Sequence, residues 1–101
     1  MPDFTPLDPR SERQVAIMNA FARKKRAFLL RKHHAEAAIG ITDAIAPLLD
    51  DDATEDRRIK ARLYRRSAGA HERMANYPGA IRFCEFRIRK AVEWLRGRGV
   101  L

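Results

Sequence analysis

Apolar residues recur every three or four positions through most of this chain, and no stretch alternates with period two for long enough to form a strand. That single property restricts the fold to helices. From Ser11 onward, Ile17, Phe21, Phe28, Ala35 and Ile39 fall along one side of a helix, with Val15, Met18, Ala22 and Leu29 in an adjoining stripe. Lys25 and Lys32 sit between the stripes, where their stems can lie on apolar surface while the ammonium groups reach water or the acids of the middle segment. Ser11 and Gln14 have the spacing of a capping box, so the helix is expected to open at Ser11 and to run to at least residue 38. Beyond it, Gly40 and Pro47 allow two readings. Either the helix continues with a kink, or Thr42 caps a separate short helix.

Asp50, Asp51 and Asp52 mark a solvated turn, and Thr54 is the expected cap of a helix over about 55–75, with Glu55 and Asp56 in its first turn. Ile59, Leu63, Ala70 and Met74 form its apolar side. The sequence Asn76-Tyr77-Pro78-Gly79 predicts a break. A last helix is expected over about 80–96, with Ile81, Cys84, Ile88, Ala91, Val92 and Leu95 as its apolar face and Gly97 and Gly99 as its end. The expected fold is therefore all-α: a small bundle of three or four helices with a long N-terminal helix. Residues 1–10, with three prolines, read as an extended arm, and residues 11–101 as a single helical domain.

Charge is distributed in blocks, which says more than its net value of +8. Residues 13–34 carry seven bases and no acid, residues 35–56 seven acids and no base, and residues 57–101 thirteen bases and three acids. The acidic block can lie partly against a basic helix. The remaining positive excess calls for an anionic partner or solvent. Arg58, Arg62, Arg65, Arg66 and Arg73 share one arc of the 55–75 helix opposite its apolar side, with Gly69 in the same arc. Such a row, about 22 Å long at roughly 1.5 Å per residue, suits a phosphate backbone, because guanidinium groups make bidentate contacts and glycine permits close approach. Arg23, Lys24 and Arg26 add a second basic cluster, continued by Arg31, Lys32, His33 and His34. Arg58, Arg62, Arg65, Arg66 and Arg73, with Arg23, Lys24 and Arg26, are the candidate nucleic-acid contacts. An amphipathic helix also needs a solvated face, but such a face usually mixes signs.

On the last helix Phe83, Arg87, Lys90 and Trp94 form a stripe beside the apolar face, with Phe86 further round. Aromatics interleaved with bases can stack on unpaired nucleobases or anchor a protein interface; alternatively Phe83 and Trp94 complete the core. Of the two functional readings, self-association is favoured, so a homo-oligomer is expected.

No catalytic constellation is proposed by any spacing, so the chain is expected not to be an enzyme, and no cofactor is implied. The acids at 50–56 lack the pattern of a calcium loop, the histidines lack an i,i+4 partner, and Cys84 stands alone, so no metal site is expected. No apolar run is long enough to span a bilayer, and the first residues lack the features of a secretory signal. A cytoplasmic, reducing setting is expected. Two functions follow. The first is a basic nucleic-acid-binding accessory or regulatory protein that contacts phosphates mainly without base readout. The second is a small interaction module, a regulator or inhibitor, that binds an acidic surface of a larger protein complex.

Overall fold

The computed structural model describes residues 7–101. Helix α1 spans Pro9–Ile45, a 3₁₀ turn follows at Ala46–Leu48, and helix α2 spans Thr54–Gly97. All-α is thus correct, and a bundle of three or four helices is not: two long helices replace it. The chain divides into two compact units. One joins α1 up to Ala27 to Ala80–Leu101, and the other is Phe28–Gly79. In each, a segment of α1 packs against a segment of α2. Of the expected arm at 1–10, residues 1–6 lie outside the described residues, and Pro9 and Arg10 are helical.

The helix opens at Pro9 and not at Ser11, for a local reason. Asp8 is the cap, a residue type whose carboxylate suits the free amides of a first turn. Its Oδ1 accepts from the Ser11 amide at 2.8 Å, and its Oδ2 accepts from the Ser11 hydroxyl at 3.2 Å. Pro9 then takes the first helical position, where its missing N–H costs nothing and its fixed φ fits. The Ser11 amide holds the Asp8 carboxyl below its ordinary value of 3.8, and Arg98, with Nη2 3.4 Å from Oδ2, acts in the same direction. A lowered carboxyl stabilises the fold above its unfolded value and loses that contribution as pH falls through the folded one. Acidification below about pH 4 should therefore fray the first turn, seen as earlier loss of amide-exchange protection at Ser11 than at mid-helix residues. Protection retained at Ser11 in strong acid would contradict this.

Burial along both helices follows steps of three and four. On α1 the buried or half-buried positions include Ser11, Gln14, Met18, Phe21, Lys25, Phe28, Lys32, Ala35, Ile39 and Thr42, and Ala46 of the 3₁₀ turn continues the series. On α2 they include Leu63, Ser67, Ala70, Met74, Tyr77, Ile81, Cys84, Ile88, Ala91 and Leu95. A repeat of about 3.5 residues is the spacing of helices that pack side by side through knobs and holes. Many of these residues are small, and Ala35, Ala46, Ala70 and Ala91 are nearly inaccessible, so the facing backbones can come close.

That packing explains why α2 runs through Pro78. An interior proline forfeits one backbone hydrogen bond and costs about 3 kcal/mol. Pro78 itself faces water, whereas its neighbour Tyr77 is buried with its ring 6.3 Å from Phe28. A helix break there would take Tyr77 out of register with Phe28. At Gly40 the helix also continues, and Pro47 ends it: α1 stops at Ile45, just short of the proline, as expected from the restriction proline places on Ala46. Thr42 caps nothing. It is buried inside α1, with Oγ1 3.0 Å from the Ala38 carbonyl and 3.1 Å from the Leu63 carbonyl. Replacing it with valine keeps the volume and strands no buried donor, so we expect a loss of about 0.5–1.5 kcal/mol in urea unfolding. No change at all would mean that the contact to Leu63 contributes nothing.

The acidic turn is tied internally. The Asp50 amide donates to Asp56 at 2.8 Å, the Asp52 amide donates to the Asp50 side chain at 2.9 Å, and Lys60 donates to Asp51 at 2.9 Å. The bond to Asp51 raises the Lys60 pKa. At the other end of α2, Gly99 has φ +74°, the Val100 amide donates to Leu95 and the Gly99 amide to Arg96, each at 3.0 Å. That pair of bonds is a Schellman cap, and it needs a residue that tolerates left-handed backbone.

Candidate functional site

In the unit Phe28–Gly79, the outer side of α2 presents Arg58, Arg62, Arg65, Arg66 and Arg73, all exposed. Leu63, Ser67, Ala70 and Met74 of the same turns are the buried or half-buried side toward α1; Arg58, Arg62 and Arg65 stand away from it, and Arg66 and Arg73 stand nearer its edge. Among the described residues, none of the five has a carboxylate oxygen within 4.0 Å; the acids of this unit that do form ion pairs are Glu36, with Lys32, and Asp51, with Lys60. The charges therefore stand uncompensated by local pairs.

Two of these arginines reach round to a cleft between the helices. It measures about 290 Å³ and is lined by Arg31, His34, Ala35 and Ala38 of α1 and by Arg66, Arg73 and Tyr77 of α2. The α1 side has an aromatic support. The Arg31 guanidinium carbon lies 5.7 Å from the Phe28 ring centre, and Phe28 in turn packs on Tyr77. At that distance the cation is attracted by the negative face of the ring. Gly69 lies one turn before Arg73, and a Cβ placed on it would stand 3.4 Å from Arg73 Nη1, so the guanidinium lies along the bare backbone there. Among the described residues, no carboxylate lines the cleft. Arg31 and His34 were visible in the sequence only as members of a basic run. Their meeting with Arg66 and Arg73 depends on the register between the helices, and the buried steps of three and four are the signal that would have set it.

The other unit holds the second set of candidates. Arg23, Lys24 and Arg26 are exposed, and the Lys24 ammonium lies 5.3 Å from the Phe21 ring centre. Lys25, the remaining member of the run, turns inward and meets Glu85 at 3.4 Å. Phe83 is 56% exposed and meets Phe21 edge-on at 5.9 Å, while Arg87 stands over the Phe21 ring at 5.3 Å. Phe86, 43% exposed, is flanked by Arg89 at 5.8 Å and Lys90 at 5.6 Å, and Lys90 also reaches Glu93 at 3.7 Å. Trp94 is half-buried under Arg98, at 4.9 Å, and borders a cleft with Arg10, Arg13, Gln14 and Ile17. Cations thus stand beside Phe21, Phe86 and Trp94, while Phe83 and Phe86 remain exposed.

Comparison with known protein families, curated proteins and solved structures finds no match. No described helix is long and apolar enough to cross a membrane.

Proposed function

We propose that this protein is a cytoplasmic nucleic-acid-binding accessory protein that holds phosphates through the arginine side of α2 and acts by its presence on the strand, as an architectural or regulatory factor, rather than by catalysis. The observation that carries the reading is the row Arg58, Arg62, Arg65, Arg66 and Arg73: five exposed arginines on one side of one helix, none of them, among the described residues, with a carboxylate oxygen within 4.0 Å. Phosphate oxygens are the chemistry that planar, bidentate donors in a row fit best. On this reading the arginines contact the phosphate backbone, which carries no sequence information, so binding is indifferent to sequence. Two random duplexes of unrelated sequence, titrated by fluorescence anisotropy at low salt, should bind with the same affinity within a factor of about two. No binding to either duplex or to a single strand would overturn the reading.

A second reading draws on exposed apolar side chains. Leu30, Ile41, Ile45 and Leu48 lie exposed along α1 and its 3₁₀ turn in the unit Phe28–Gly79, and Phe83 and Phe86 are exposed in the other. Contiguous exposed apolar surface marks interaction sites. On this reading the protein is an interaction module that self-associates or docks on an acidic protein surface, with Phe83, Phe86 and Trp94 as anchors and Arg87 and Lys90 beside them. Trp94→Ala should then shift the sedimentation coefficient or abolish partner binding while leaving nucleic-acid affinity unchanged.

A further inference from the structure

We propose that the cleft between α1 and α2 in the unit Phe28–Gly79 is a receptor for a phosphate monoester, the doubly charged group found at the end of a nucleic-acid strand or on a free nucleotide. The inference shares Arg66 and Arg73 with the phosphate-contact reading and to that extent rests on it, but it concerns a different geometry. An exposed row meets the single charges of a phosphodiester backbone one after another. The cleft instead gathers Arg31 from α1 and Arg66 and Arg73 from α2, with His34 at its border, around one concavity. A phosphodiester carries one negative charge, whereas a monoester carries between about 1.5 and 2 near pH 7, so convergent guanidinium groups favour the end group over the interior of a strand.

One of the three arginines, Arg31, rests on an aromatic ring before a ligand arrives. Phe28 supports Arg31 at 5.7 Å, and the Arg73 guanidinium lies 3.4 Å from where a Cβ on Gly69 would stand, an ordinary contact distance. Guanidinium groups placed in advance lose less conformational freedom on binding than free ones. Buried Ala35 and Tyr77 supply an apolar floor and wall, which weakens competition from water and strengthens each charge contact. The cleft volume is about 290 Å³. That is the small end of the range for ligand sites, enough for a phosphate together with part of the sugar it esterifies.

The test compares two oligothymidine decamers that differ only in a 5′-phosphate or a 5′-hydroxyl, with thymidine 5′-monophosphate and inorganic phosphate as separate ligands. Wild-type protein should prefer the phosphorylated strand by about tenfold beyond its affinity for the hydroxyl strand, the equivalent of one charge-assisted hydrogen bond. Arg31→Gln should erase the preference and leave affinity for the hydroxyl strand unchanged, because Arg31 lies on α1, off the exposed row. Arg58→Gln, the same charge change outside the cleft, should keep it. Thymidine 5′-monophosphate should shift backbone amides of residues 31–38 and 66–77 in wild type and not in Arg31→Gln. If the free nucleotide binds and neither strand does, the cleft stands and the polymer reading falls. If both strands bind equally and the nucleotide shifts no amide, the polymer reading stands and the cleft proposal is overturned.

Discussion

Leu95→Ala should lower the free energy of unfolding by about 2–5 kcal/mol. Leu95 is fully inaccessible and is the largest such side chain among the described residues. It packs in the unit that also buries Ser11, Cys84 and Ala91, three small residues that cannot expand to fill the space an alanine would leave. Its backbone carbonyl anchors the Schellman cap by accepting from Val100 at 3.0 Å, and Val100 is half-buried. An apolar residue at that position usually accompanies the cap. Small native domains have only about 5–15 kcal/mol in total, so the midpoint of thermal unfolding should fall by roughly 10–30 °C. Circular dichroism of the helical signal measures it. Leu48→Ala is the control, because Leu48 is 82% exposed. Its truncation should change stability by no more than about 0.5 kcal/mol. Equal effects at the two positions would contradict the assignment of the core.

The double substitution Arg62→Ala and Arg66→Ala should weaken binding to duplexes of every sequence alike, by about tenfold or more at low salt, without unfolding the protein. Both side chains are exposed and stand at i and i+4 on α2, so they face the same stretch of a bound backbone. Alanine is the stronger helix former, so the fold should not suffer. A loss confined to one sequence would instead mean base readout. Unchanged affinity would remove this face from consideration and move attention to Arg23, Lys24 and Arg26 in the other unit.

Helical class was readable from apolar spacing alone, because nothing in the chain competes with it. The number of helices was not. Asn76-Tyr77-Pro78-Gly79 is locally a helix breaker, and its local cost is real; it is outweighed by Tyr77, whose burial against Phe28 is invisible to any local rule. The start of α1 was misplaced for a chemical reason: Ser11 looks like a cap by type, yet Asp8 followed by Pro9 is the better one, and Ser11 is its partner. The buried steps of three and four were obscured because several of their positions hold Ser11, Lys25, Lys32, Thr42 and Ser67, residues that do not register as apolar. Lys25 and Lys32 were read as lying between two stripes, and they do lie half-buried with their ammonium groups toward Glu85 and Glu36. The arginine row on α2 was legible because it needs only one helix. The cleft was not, because it needs two helices in register.

The slope of log affinity against log salt for a random duplex tests the phosphate-contact account most directly. Each phosphate neutralised contributes about −0.9, so full engagement of the five arginines predicts a slope near about −4.5 for the wild type and about −2.7 after Arg62→Ala and Arg66→Ala. A slope close to zero, or one that the double substitution leaves unchanged, would contradict it.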